Sequence, residues 1–298
     1  MKPRLFIYVS LAADLSIAIS KFIAAGITGS SSMISEGVHS VIDAASQVML
    51  IWGVKNSRKK ADDERPFGYG RELYFWSFMV SLVMFLLGGC ISLYEGFERL
   101  NRPEFTGSPN LSYITLAIAA VFTGISFTTA FKAFNKQRGD KSFFTAITQS
   151  KDPSTFIVLL GDVGDMPGLF IAFLGVYLGR LFHNPLYDGI AAMIIGAILI
   201  AISMLLVRES KSLLMGEAIS KVALRKIVAI AEADAAIVKI KKHFSTYMAP
   251  DEAILQLIAI FKKDLTTGEI TDAIERITKL ITTEFPRVKQ IFIEPAAK

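Results

Sequence analysis

His39 and Asp43 stand four residues apart, and Asp162 and Asp165 three apart, within stretches that are otherwise largely apolar. Spacings of three and four put side chains on one face of a helix. One imidazole and two or three carboxylates meeting across two such faces would form a hard-to-borderline site for a divalent cation. Zn²⁺ accepts nitrogen and oxygen ligands tetrahedrally, and Mn²⁺ or Fe²⁺ tolerates a carboxylate-rich set. The lone Cys90 lies in a different apolar stretch, which excludes a thiolate zinc site and disfavours Cu(I). Metal binding needs a neutral imidazole and ionised carboxylates, so loading displaces protons and protonation ejects the metal.

The segments that carry these residues are long enough to cross a bilayer. Residues 73–94, 111–131 and 189–207 contain no Asp, Glu, Lys, Arg or His, and each approaches the ~20 residues that span a ~30 Å hydrocarbon core. Three further stretches reach that length with ionisable groups inside: 5–29 holds Asp14 and Lys21, 33–54 holds Glu36, His39 and Asp43, and 153–179 holds Asp162 and Asp165. Six spans follow. A chain that is 52% apolar and 20% charged is greasier than a soluble domain, which excludes a soluble enzyme, a secreted module and a disordered chain. Asp14 interrupts the first apolar run, so that run reads as a retained helix and not a cleaved signal peptide.

Basic residues set the expected orientation. With the N-terminus inside, the inner segments hold fifteen Lys and Arg and the outer loops only Arg99, Arg102 and Arg180. The bias puts both termini in the cytoplasm or its equivalent, and the absence of tails or a His-rich loop suggests a prokaryotic cytoplasmic membrane. The net charge of +5 is therefore a membrane signature, with no nucleic-acid partner expected.

Burying an ionisable group near mid-membrane costs about 2.5–3.5 kcal/mol on insertion scales. The first, second and fifth spans are thus where a polar path is expected, with the charge-free spans as packing walls. At ~1.5 Å per residue, His39 and Asp43 lie roughly 9 and 15 Å below the outer boundary, and Asp162 and Asp165 roughly 13 and 18 Å from the inner one. All four fall within about one turn of the midplane. Pro167 should loosen the fifth helix, and Gly161, Gly164 and Gly168 would admit close helix approach. Asp14 reads equally as a helix-to-helix hydrogen bond or a functional acid, and Glu36 equally as solvated or functional. Lys21 is expected to snorkel to the outer interface. Arg58-Lys59-Lys60 reads as lipid-headgroup contact, and Asp62-Asp63-Glu64 as a polar loop before a surface metal site.

Residues 1–208 form the expected six-helix transport domain and 209–298 a small soluble one. The second part predicts a helix over 218–233, a strand at 237–240, a longer strand over 253–261, a helix over 267–284 with Ile270, Ile274, Ile277 and Ile281 in one stripe, and a strand over 288–293. That order suggests an α+β domain with its helices on one face of a sheet.

Three motifs together resemble the cation diffusion facilitator family: Ser35-Glu36-Gly37-Val38-His39-Ser40-Val41-Ile42-Asp43, the loop Arg65-Pro66-Phe67-Gly68-Tyr69-Gly70-Arg71 running into Glu72-Leu73-Tyr74-Phe75-Trp76, and Lys151-Asp152-Pro153. The last is similar to a zinc-transporter branch of that family. The resemblance implies an α-helical membrane protein with six transmembrane helices plus a small α+β ferredoxin-like cytosolic domain, a homodimer, and export of Zn²⁺ or a related ion in exchange for protons. It also implies a transport site with two ligands on the second helix, at His39 and Asp43, and two on the fifth, one at Asp162. The other fifth-helix ligand would fall at Val158, which cannot bind metal. Asp165 lies only about 20° from 158 on a helical wheel, so it is the candidate fourth ligand. In the cytosolic part His243 is the one histidine, with Tyr247 near where relatives often carry another, so a binuclear zinc site there is not expected.

The expected partners are the bilayer, divalent metal ions, protons and a second copy of the chain, with no cofactor permanently bound. A competing reading is a scaffold or metal sensor that keeps the fold without turnover, motivated by Val158 and Gly161. An embedded hydrolase lacks support, since neither Gly-x-Ser-x-Gly nor His-Glu-x-x-His occurs.

Overall fold

The computed structural model describes residues 5–28, 31–101, 109–139, 142–148 and 150–297. Lys2, Arg4, Arg102, Lys141 and the side chain of Glu36 lie outside them. Among the described residues six helical spans are long and apolar enough to cross a membrane. They are α1 (Leu5–Thr28), α2 (Ser31–Asn56), a third span made of α3 (Glu72–Val83) and α4 (Ile91–Asn101) joined by a π-helical segment (Met84–Cys90), α5 (Pro109–Arg138), α7 (Pro153–Leu181) and α8 (Leu186–Met215), with a short α6 (Phe143–Thr148) between the fourth and fifth. The chain forms two compact units, one of residues 1–56 and 72–211, the other of residues 57–71 and 212–298.

Local chemistry explains where the spans begin and end. The Asp152 side chain caps α7, accepting from the Ser154 amide at 3.2 Å and its hydroxyl at 2.6 Å, with Pro153 at the first helical position. The Asp-Pro of the sequence motif is thus a helix start. The fifth helix is continuous through Pro167. Beyond α8, Gly216 adopts a φ of +101°, a left-handed conformation that ends the helix at little cost only for glycine.

The third and sixth spans touch backbone to backbone. A Cβ on Gly196 would sit 2.6 Å from the Leu93 amide nitrogen, and one on Gly96 2.7 Å from that of Met193. Small residues permit such approach in lipid, where helix association draws on packing rather than water exclusion. The π-helical segment, which contains Gly88 and Gly89, was not foreseen from sequence.

In the second unit α9 (Lys221–Glu232), β1 (Ile237–Ala249), β2 (Glu252–Phe261), α10 (Thr267–Glu284) and β3 (Val288–Pro295) follow in order. The sheet order is β1-β2-β3, with β1 antiparallel and β3 parallel to the central β2. Ala253, Leu255, Leu257 and Ala259 of β2 are buried in one core with Leu224 and Ile227 of α9 and Ile277 and Ile281 of α10, so both helices cover the same sheet face. Burying each such Leu or Ile contributes roughly 1.5–3 kcal/mol. Thr266 and Glu269 close a reciprocal capping box at the start of α10. β1 runs well past the expected 237–240.

Asp234, after α9, accepts two hydrogen bonds from Arg276 of α10 at 3.1 Å each and one from the Ala236 amide at 2.9 Å. The guanidinium and then that amide hold its carboxyl below the usual carboxylate range. A depressed carboxyl adds stability above its unfolded value, about 3.9, and loses it as pH falls toward the folded one. Arg276→Gln is therefore expected to lower the thermal midpoint at pH 7, with the gap to the parent closing as pH falls below about 4. A gap independent of pH in calorimetry over that range would refute the assignment.

Candidate metal site

Within the six-helix unit lies a cavity of about 290 Å³. His39 and Asp43 of α2, Asp165 of α7 and Asp14 of α1 all line it. Counting residues from each helix's midpoint at ~1.5 Å apiece, Asp14, Asp43 and Asp165 sit within about 4 Å of mid-helix, while His39 is about 7 Å nearer the Ser31 end of α2. Asp165 is exposed to the cavity although it lies far from either end of its helix. Asp14 and Asp165 are each within Coulombic reach of Asp43, Asp162 and Lys21.

Asp162 is placed differently. It is 6% exposed, and its Oδ2 accepts a hydrogen bond from the Ser126 hydroxyl of α5 at 2.8 Å. It lies about 7 Å from the α7 midpoint toward Pro153, about one turn nearer that end than Asp165. The structure thus gives His39, Asp43 and Asp165 places in the lining of the same cavity and leaves Asp162 out of it. Among the described residues no three His, Cys, Asp or Glu side chains converge tightly enough to hold one ion. Val158 is 2% exposed, inside a run from Pro153 to Leu160 that is buried throughout, so no donor reaches the cavity from that position.

The spans expected to be plain packing walls also line it. Ser92, Glu95 and Arg99 of α4, Thr115 and Thr123 of α5 and Asp188 of α8 all reach the cavity. Arg99, expected in an outer loop, lies in the last turn of α4 and forms an ion pair with Asp188 at 2.6 Å. Each charge suits its helix end, a cation in a last turn and an anion in a first turn. The spacing of Ser92, Glu95 and Arg99, three then four, was the available signal for this polar face. Reading the third span as ending at residue 94 concealed it.

The Arg-Pro-Phe-Gly-Tyr-Gly loop is a self-bracing turn. Asp62 accepts from the Tyr69 hydroxyl at 2.7 Å and from the Arg65 amide at 2.8 Å, and the Arg65 guanidinium lies 4.5 Å from the Tyr69 ring centroid. Those two donors, Tyr69 first, hold the Asp62 carboxyl below its ordinary value, and the same bond raises the Tyr69 phenol. Asp62 is therefore occupied as an acceptor within the loop, as a polar loop requires.

Residues 7–215 match the cation efflux transmembrane domain. The proton-coupled zinc antiporter SLC30A9, mitochondrial, of Xenopus laevis is 32% identical over 212 residues, covering 70% of this chain and 38% of that protein. Metal tolerance protein C4 of Arabidopsis thaliana is 28% identical over 213 residues, 70% of this chain and 47% of its own length. The manganese efflux system protein MneP of Bacillus subtilis is 24% identical over 217 residues, 71% of this chain and 68% of its own length. The chain thus spans less than half the length of the first two relatives.

Proposed function

The chain belongs to the cation diffusion facilitator, or cation efflux, family, and from that premise we propose that it carries a divalent metal cation across a membrane in exchange for protons. The observation that supports this reading is that His39, Asp43 and Asp165 all line one cavity inside the six-helix unit. An imidazole and two carboxylates offer neutral nitrogen and anionic oxygen to an ion that enters the cavity. Asp165 takes the part that Val158 cannot play. Asp162, one turn inward, is the next station for the same ion, reached when its carboxylate leaves the Ser126 hydroxyl. Protons that return to these groups as the ion departs supply the exchange.

Zn²⁺ is the first candidate for the cargo, with Mn²⁺ and Fe²⁺ as alternatives. The names of the relatives, a zinc antiporter and a manganese efflux system, support that range. Transport runs from the Lys- and Arg-rich side, the cytoplasm or its equivalent in an organelle, where residues 212–298 also lie. The test is uptake of Zn²⁺, Mn²⁺ and Fe²⁺ into proteoliposomes under an imposed pH gradient. Flux of at least one ion, abolished when the gradient is collapsed, is the expected result. No flux of any of the three, from protein that still binds metal, would favour a sensor or scaffold, the reading that the apolar Val158 supports.

We place the homodimer contact on the sheet face that α9 and α10 leave uncovered. Phe244, Gln256 and Phe292 are cross-strand neighbours there, and the two phenylalanines are about half exposed. An exposed aromatic pair of this kind suits a second copy of the same surface. Phe244→Lys with Phe292→Lys is expected to shift the protein in detergent from dimer to monomer by light scattering. An unchanged mass would move the contact elsewhere.

A further inference from the structure

We propose that Ser126 is a positioning residue of the transport reaction, its hydrogen bond to Asp162 being the latch that keeps the bundle shut between the cavity and the Pro153 end of α7. The assignment rests on the transport reading above. The Ser126 hydroxyl of α5 donates to Asp162 Oδ2 of α7 at 2.8 Å, and the two residues are 1% and 6% exposed. The cavity lining runs along α5 from Ser112 to Thr123 and along α7 from Arg180 back to Gly164. It therefore stops within three residues of the pair on either helix. Past the pair, Ala130 and Phe134 of α5 are buried, as is every residue of α7 from Pro153 to Leu160. An ion that travels along α7 between the cavity and the Pro153 end meets this bond first.

Two properties suit the bond to a latch rather than to packing alone. A hydrogen bond to a carboxylate is stronger than one between neutral groups, and in lipid no water stands in for a lost partner, so the bond holds firmly while intact. Its release nonetheless has somewhere to go. A helical serine can turn its hydroxyl to the carbonyl four residues back. Ser46, Ser81 and Ser203 all do so in this bundle, at 3.1, 2.8 and 2.7 Å. For Ser126 that acceptor is the Phe122 carbonyl. The freed carboxylate takes the cation as its new partner. The fifth helix can yield at this point, because Pro167 has no amide hydrogen to give the carbonyl of Val163, the residue beside Asp162.

The latch thereby sets an equilibrium. A chain without it spends more time open toward the Pro153 end, and an ion presented there binds with an apparent affinity raised in proportion to the competent fraction.

The test reads opening without metal. In full-length protein whose single cysteine, Cys90, is replaced by alanine, Ala130→Cys places a thiol one turn from Ser126 at a fully buried position. Its labelling by a charged maleimide is timed in detergent. Ser126→Ala is expected to speed labelling at least fivefold, and Asp162→Ala, which breaks the same bond from its other end, by a similar factor. Ser126→Thr, which keeps the hydroxyl, is expected to stay within twofold of the parent. In proteoliposomes Ser126→Ala should lower the half-saturating concentration of ion presented at the Pro153 end by the same factor as the labelling gain. Parent-like labelling of folded Ser126→Ala, or equal acceleration by Ser126→Thr, overturns the latch. If Ser126→Ala does not fold, parent-like labelling of Asp162→Ala overturns it instead. A labelling gain in protein that carries none of the three ions keeps the latch and removes the transport reading, whereas normal flux with unchanged labelling does the reverse.

Discussion

Asp43→Ala is expected to bring metal flux in proteoliposomes down to that of protein-free vesicles. Asp43 stands within a residue of the midpoint of α2 and lines the cavity, and the transport reading proposed above puts its carboxylate in the ion's path. Loss of one charged donor from a metal's path is expected to weaken binding by about two orders of magnitude, or about 2.7 kcal/mol. Fold is expected to survive, because Asp43 is half-buried against the cavity and the alanine adds no clash. The same assay orders the two fifth-helix acids. Asp165→Ala should lose most of the flux, since it faces the cavity with Asp43. Asp162→Ala should also lose flux while leaving the Ser126 hydroxyl without its acceptor. Parent-like transport by Asp165→Ala, with none by Asp162→Ala, would end the idea that Asp165 stands in for a ligand at Val158.

Gly196→Leu is expected to have the largest effect on stability. A Cβ there would lie 2.6 Å from the Leu93 nitrogen and 2.9 Å from its Cα. Both are backbone atoms, which cannot rotate aside, and carbon atoms pack at about 3.5–4.0 Å. The helices would have to part by about 1 Å along the whole seam that Gly96 and Met193 share, which forfeits contacts well beyond residue 196. Overpacking of a close-fitted core costs about 1–3 kcal/mol even where side chains yield, so a backbone clash should exceed that range. Loss of the monodisperse peak in detergent chromatography, or a large fall in thermal midpoint, is the expected readout. Gly124→Ala is the control, because a Cβ there meets no atom within 4 Å. Equal behaviour of the two variants would show that the seam does not bear on folding.

Most of the architecture was legible because a membrane span is written in composition over about 20 residues. Helix α10 was legible to the residue, since its isoleucine stripe and the Thr266 cap both mark it. β1 was not. Lys239, Lys241, Lys242 and His243 are exposed on a strand at the sheet edge, where charge guards against unwanted pairing, and the same charge makes it read as a loop. The third span was underread for a related reason, because Glu95 and Arg99 face a cavity and so look like the start of a loop. The site itself was half legible. Residue counting gives depth but not direction, and three residues along a helix leave side chains about 60° apart. That angle is enough to aim Asp165 into the cavity and Asp162 at Ser126. No pattern in the sequence marked the π-helical segment.

The loop between the second and third spans belongs to the same compact unit as the C-terminal domain, where Gly70 lies so close that an added Cβ would be 2.5 Å from the Met248 oxygen. The polypeptide therefore crosses between the two units at three points, 56/57, 71/72 and 211/212. The second unit is thus no simple C-terminal appendage, since residues 57–71 are built into it together with 212–298.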